Sequence, residues 1–330
     1  MVKFMEVRFT NPNLRLLIDD FYRDIPEVTN FEKKCSDFFI FLDSLPKEVD
    51  VTALSVEDWM FLRFENYNKA CEKFNKELNQ NIKFVWVISS FKMQRLLESI
   101  LALFEKEDFY SAITLIRTLV EVSCFCNHHL SEIGPIVTEA NKNTNNFLRY
   151  NKLTEKLESI LQVSKKSTRV EIMLKEAADT TEALGISSSV NWVSRKKKYE
   201  NLKINYNLLC DFVHPNYLSN SIFGVPTRFY ENKKEKVFKK EKMIFLPGEI
   251  DKYSKNAAKK NPILYLMYFG LLVSSIEMCI DLFKETFEEF KNLNINISYV
   301  KPPDFDKLLK LSKDERYNLV KSGLKDLKLK

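Results

Sequence analysis

The sequence predicts an all-α protein, a helical bundle of long helices with one small basic β-hairpin inserted near 222–246. Three observations predict it. Breakers are sparse, with 6 Gly and 10 Pro in 330 residues, and a chain so seldom interrupted favours long helices over many short strands. Apolar residues recur three and four positions apart in several stretches, the period of a helix with one buried face. Ile263–Ile276 is a run of 14 residues without a charge, a length that suits a buried core helix better than a bilayer span.

Residues 1–50 predict one or two short helices, punctuated by Pro12, Pro26 and Pro46. A helix is predicted over 55–80, with Trp59, Leu62, Phe64, Tyr67, Ala70, Cys71 and Phe74 near helical spacing. A longer one follows at about 83–106, with Phe91, Leu96, Leu97, Ile100 and Phe104 on one side, ended by Glu105–Asp108. Asp108 can cap the next helix, 109–131, whose stripe Phe109, Ile113, Ile116, Val120 and Cys124 should be core. Gly134–Pro135 should break the chain there. Helices over 136–163 and 168–184 come next, then a Ser-rich loop over Ile186–Val193. A helix over Arg195–Pro215 stops at Pro215. Ile222–Tyr230 and Lys236–Leu246 are the strand candidates of the hairpin, and Pro262 opens a helix over 262–291. The expected organisation is an N-terminal helical region at 1–80, a bundle with its hairpin at 81–298, and a charged tail at 299–330.

Composition narrows the class. Hydrophobic residues at 45% and charged residues at 29% are those of a globular protein. The net charge of +6 is compatible with a polyanionic partner and does not require one. Cys35, Cys71, Cys124, Cys126, Cys210 and Cys279 form no C-x-x-C pair, so zinc-site spacing is absent and no cofactor or metal is expected. Met1–Leu16 lacks the apolar core of a signal peptide, which with reduced thiols predicts a cytoplasmic address. Glu277 and Asp281 end the uncharged run, and no membrane span is expected. Glycine-rich phosphate loops, G-x-S-x-G, H-E-x-x-H and paired Asp-x-Asp are all missing, which argues against ATP-driven chemistry.

Histidine is the side chain best suited to proton transfer near neutral pH, and the chain has only His128, His129 and His214. Adjacent His128 and His129 point about 100° apart on a helix and cannot chelate one ion together. His214 closes the segment Tyr206–Asn216, YNLLCDFVHPN. There Asn207, Asp211 and His214 share one helix face, opposite Leu208, Leu209, Phe212 and Val213. That stripe reads either as a site or as a solvated face with a capping histidine. Arg117 and Glu121, four apart in an otherwise apolar helix, can pair. The pair is either a surface ion pair or a buried one needing further partners, such as Tyr206 or His214 from a facing helix. Two basic clusters, Arg195–Lys198 and the stretch holding Arg228, Lys233 and Lys234, lie near aromatic residues. They can hold a nucleic-acid backbone, although such runs are more often solvated edges that protect strands from pairing.

An Arg-x-x-x-Glu helix followed much later by a Tyr-containing helix ending in Val-His-Pro resembles the HEPN-like group of bacterial helical proteins. Arg117, Glu121, Tyr206 and His214 carry the resemblance, with the last apolar helix at 262–291, over about residues 85–290. It implies a helical bundle, often dimeric. Many members are metal-independent ribonucleases of toxin–antitoxin or phage-defence systems, and others are inactive binding modules. The family's Arg and His share one helix with four to six residues between them, and Asn207 stands here at the six-residue position. Asn carries no charge to stabilise a phosphorane, so Arg117 would have to supply it from another helix. On this resemblance His214 is the general acid/base, Arg117 the phosphorane contact, Asp211 or Glu121 an orienting group and Tyr206 a hydrogen-bond donor. Three functions follow as expectations: an RNA-cleaving or RNA-binding defence or toxin protein, a non-catalytic module that docks a partner protein, and a membrane-associated protein using 263–276. The expected partners are RNA, another protein or a second copy of the chain.

Overall fold

The structure is a computed structural model. It describes residues 6–16, 18–19, 22–50, 67–142, 186–213, 225–226, 229–232, 237–240, 243–244, 262–296, 310–312, 314–315 and 318. The fold is all-α. The described helices are α1 (Pro12–Leu16), α2 (Pro26–Thr29), α3 (Phe31–Ser44), α4 (Tyr67–Glu105), α5 (Phe109–Ala140), α6 (Ile186–Val193), α7 (Glu200–Val213) and α8 (Pro262–Phe290). Between α7 and α8, Phe229–Asn232 lies antiparallel to Val237–Lys240, and Val225–Pro226 antiparallel to Met243–Ile244. The turns and the rest of 222–246 lie outside the described residues, so only these backbone pairs of the expected hairpin are described.

Several element expectations are corrected. The helices expected at 55–80 and 83–106 are, from Tyr67 on, one unbroken helix, α4. Residues 79–82 (Asn-Gln-Asn-Ile) contain neither Gly nor Pro, so nothing stops propagation. Residues 51–66 lie outside the described residues. Phe91 is 55% exposed rather than core, with the Arg95 guanidinium 5.4 Å from its ring centre. Gly134–Pro135 do not break α5, which continues to Ala140. Tertiary packing holds that stretch: Gly134 lies against the Phe290 ring so closely that a Cβ would sit 2.9 Å from Cε1. The Ser-rich segment Ile186–Val193 is helix α6, because Ser189, Val190 and Val193 are all buried. Of the helices expected over 136–163 and 168–184, residues 136–140 belong to α5, and 143–184 lie outside the described residues.

The α4–α5 turn follows its sequence signals. Asp108 N–H donates to Leu103 O at 3.0 Å and Glu107 N–H to Phe104 O at 2.9 Å, closing α4 in a Schellman arrangement. Glu107 takes the left-handed position usually given to glycine, with φ of 57°. Asp108 then caps α5, its Oδ1 accepting from Ser111 N–H at 3.1 Å.

The chain divides into two compact units, the first holding Met1–Leu45, Ser89–Phe125 and Ile186–Glu285, the second Pro46–Ile88, Cys126–Gly185 and Thr286–Lys330. The first has an aromatic centre. Phe104 meets Phe9, Phe31, Phe109 and Phe269 at ring separations of 5.7–6.4 Å, and Phe38 meets Phe283 edge-on at 6.0 Å. The expected α5 stripe is core: Ile113, Ile116, Val120 and Cys124 are buried, and Phe109 packs on Phe269.

In the second unit Trp86 meets Phe287 edge-on at 5.2 Å, and Asn127 Nδ2 donates to Thr286 Oγ1 at 2.7 Å. Two side-chain amides clasp the extended segment after α8. Asn79 donates to Ile295 O and accepts from Ile295 N–H, at 2.9 and 2.7 Å. Asn141 does the same for Asn294 O and Asn296 N–H, at 2.8 and 2.9 Å. Four of the segment's backbone groups are thereby paired without a sheet partner.

Phe109–Glu139 is the one stretch among the described residues long and apolar enough to cross a membrane by length and composition. It carries Arg117 and Glu121, and its apolar stripe is spent on the core. No membrane span is expected on that basis. In the run 263–276, Phe269, Leu272, Val273 and Ile276 are buried.

Candidate functional site

The site forms in the first unit, where α5 meets α7. Arg117 and Glu121 are one helical turn apart on the half-buried side of α5. Arg117 Nε lies 3.2 Å from Glu121 Oε1, and the two side chains are 29% and 17% exposed. The pair is therefore neither a free surface bridge nor a sealed one. From α7, Tyr206 OH donates to the same Oε1 at 2.9 Å. The Arg117 guanidinium carbon also sits 5.8 Å from the Tyr206 ring centre, a cation–π distance.

α7 is aimed by its packing. Leu202, Leu209 and Phe212 are buried. Asn205 Nδ2 donates to Ser275 Oγ on α8 at 3.2 Å, which ties the neighbour of Tyr206 to that helix. Just upstream, Tyr199 OH donates to Glu285 Oε2 at 2.6 Å.

Electrostatics fit a neutral phenol between two charges. Burial and then the Glu121 hydrogen bond push the Tyr206 hydroxyl above its usual range, against the pull of Arg117. Burial draws Arg117 down, but Tyr206 and Glu121 outweigh it and leave the guanidinium raised. Tyr206 is thus a donor, and Arg117 stays charged. Arg117 Nε is shielded from solvent and makes no hydrogen bond among the described residues, its approach to Glu121 being ionic only. Cys210, half-buried and one turn after Tyr206, is an electrostatic neighbour of both Tyr206 and Arg117.

The structure brings together Arg117, Glu121 and Tyr206 of the residues singled out in the sequence. Asn207 and Asp211 are exposed, about 100° and 140° around α7 from Tyr206. His214 lies outside the described residues, as do Arg228, Lys233 and Lys234. In the other basic cluster, Arg195 and Lys197 are exposed, and Lys196 Nζ lies 5.0 Å from the Trp192 ring centre. Lys198 is ion-paired with Glu285.

His128 and His129 are buried in the second unit. His128 Nε2 is 3.7 Å from Glu132 Oε1. Burial, and then His128, lower His129 to about 4. No group of three metal-ligating side chains occurs among the described residues.

One polar cluster escaped the sequence reading. Lys34, Glu277 and Asp281 converge between α3 and α8. Glu277 and Asp281 stood out only as interruptions of an apolar run. Spacing within α8 offered no sign that Lys34, nearly 250 residues away, would meet them. Comparisons with family models, with curated proteins and with solved structures found no match for the chain.

Proposed function

We propose that this chain is a HEPN-like metal-independent ribonuclease or RNA-binding protein of a bacterial defence or toxin system, working in the cytoplasm. The observation that carries the reading is the Arg117–Glu121–Tyr206 cluster. A guanidinium on α5, four residues from its partner carboxylate, is steadied by a phenol 85 positions away from that carboxylate. Arg117 stays charged, and part of its side chain reaches solvent while its shielded Nε faces Glu121. Such a group suits a phosphate, which takes planar, multiply bonded donors better than a point charge. Arg195, Lys196 and Lys197, beside Trp192, add a backbone-tracking surface in the same unit.

In this mechanism His214 takes the proton of a ribose 2′-hydroxyl while the 2′-oxygen attacks phosphorus. Arg117 stabilises the charge that develops on the non-bridging oxygens. The P–O5′ bond breaks and the departing 5′-oxygen takes a proton from water, giving a 2′,3′-cyclic phosphate and a 5′-hydroxyl end. Glu121 and Tyr206 act as positioning residues for Arg117.

Cleavage of single-stranded RNA in excess chelator tests the proposal. His214→Ala abolishes cleavage and keeps binding, whereas Arg117→Ala weakens both, binding by about tenfold, or roughly 1.4 kcal/mol. RNA bound but never cut by the unaltered chain would reduce the function to binding. No RNA binding at low salt would leave a helical module that docks a partner protein.

A further inference from the structure

The α3–α8 seam of the first unit holds a cluster for which the ribonuclease reading has no use. Lys34 Nζ, from α3, lies 3.0 Å from Asp281 Oδ2 and 3.7 Å from Glu277 Oε1, both on α8. Two carboxylates one turn apart thus share one ammonium. The division is unequal. Asp281, 36% exposed, takes the short contact, while Glu277, 8% exposed, takes the long one. With both acids ionised the trio carries one excess negative charge, and it falls on the more buried side. A buried charge that is poorly paired is costly, and a carboxyl so placed tends to hold its proton.

The other groups around Glu277 act in the same sense. Glu27, from α2, and Asp281 both repel a carboxylate there, and Lys34 alone opposes them. The buried Cys35 thiol beside Lys34 is pushed upward by burial and then by Glu277, so it remains uncharged. Burial is the largest influence on Glu277 and raises it to about 7.

We propose that Lys34, Glu277 and Asp281 form a proton-operated latch between α3 and α8, in which Glu277 binds one proton and leaves the Lys34 ammonium wholly to Asp281. The protonated latch is neutral and closes the seam. The deprotonated latch sets a second carboxylate against Asp281 for the same cation and loosens it. α8 is also the helix on which α7 rests, through Asn205–Ser275 and, from the turn just before α7, Tyr199–Glu285. The latch therefore bears on the seat of Tyr206. It stands independently of any RNA chemistry.

The test compares denaturant unfolding of the full chain with that of Glu277→Gln over a range of pH. Taking the ratio of the two folding constants cancels the titrating groups that are not coupled to Glu277. Raising the pH from about 5 to about 8 should weaken the unaltered chain relative to Glu277→Gln by up to about a hundredfold, since proton affinity changes tenfold for each whole step in pKa. A ratio that does not change with pH overturns the latch. Should the Gln variant fail to fold, the Glu277 side-chain carboxyl is followed by carbon NMR in the unaltered chain and in Asp281→Asn. A midpoint near neutrality that falls in Asp281→Asn supports the latch. A midpoint in the ordinary carboxylate range, or one indifferent to Asp281, overturns it.

Discussion

Tyr206 OH donates to Glu121 Oε1, the same oxygen that faces Arg117 Nε. One carboxylate oxygen therefore serves a phenol from α7 and a guanidinium from its own helix. Removing the phenol leaves the ion pair formally intact but unsteadied. Tyr206→Phe should cost about 1.5 kcal/mol of stability, the low end for a hydrogen bond to a charged group because the cluster is partly wet. Urea denaturation measures that loss. If Arg117 contacts RNA, the same variant should weaken RNA binding while leaving the charge count unchanged.

Glu107 occupies the left-handed position that closes α4, with φ of 57°. Glu107→Gly relieves that conformation but gives up the 3.0 Å hydrogen bond from Asn11 Nδ2 to the Glu107 carboxylate. The first effect is about 1 kcal/mol and the second is smaller at a half-exposed site. A net rise in stability of about 0.5 kcal/mol is expected, seen as a higher denaturation midpoint.

Gly134 presents the opposite case. Alanine is a better helix former by about 1 kcal/mol, yet its Cβ would meet the Phe290 ring at 2.9 Å. Overpacking a buried aromatic costs about 1–3 kcal/mol. Gly134→Ala should therefore destabilise the chain, and a stabilised variant would show that Phe290 yields freely.

His129 gives a pH dependence of fixed sign. Its value is about 4 in the folded chain against an ordinary 6.5, because burial disfavours the cation. The unfolded chain binds that proton first, so this contribution is present above about 6.5 and is lost as the pH falls towards about 4. The full loss is about 3 kcal/mol, since each tenfold change in proton affinity is worth roughly 1.4 kcal/mol. Relative to His129→Leu, the unaltered chain should weaken over that window. Glu277 works the other way, since its raised carboxyl contributes below its ordinary 4.5 and loses that contribution as pH rises through about 7. For unfolding of the whole chain the two windows overlap and nearly cancel. Each single variant should expose one of the two opposed slopes.

The buried amide of Asn127 offers a last test. Its 2.7 Å hydrogen bond to Thr286 Oγ1 lies where neither partner can turn to water. Asn127→Ala leaves the threonine hydroxyl short of that donor and should cost about 1–3 kcal/mol. Replacing Thr286 with Val as well should recover part of the loss, and the double-mutant cycle reads the coupling directly.

Much of this architecture was legible in local pattern. The helical class, the Asp108 cap, the α5 stripe and the long final helix follow from spacing and from the scarcity of breakers, which act over one or two turns. The errors arose where a neighbour outvoted local chemistry. Gly134 and Pro135 read as a stop, but Phe290 packs on the glycine and the helix continues. Three serines read as a loop, but burial of Ser189, Val190 and Val193 makes a helix of that segment. Phe91 fitted an apolar stripe, yet it lies on the solvent side.

For the candidate site, the sequence by itself determined that Arg117 and Glu121 share a helix face, because a separation of four residues is geometry internal to one helix. Only the tertiary structure decided that Tyr206 reaches Glu121, that Asn207 and Asp211 turn to solvent, and that Lys34 finds Glu277 and Asp281. Such meetings depend on how helices pack, and packing is set by the summed burial of many apolar side chains rather than by any short motif.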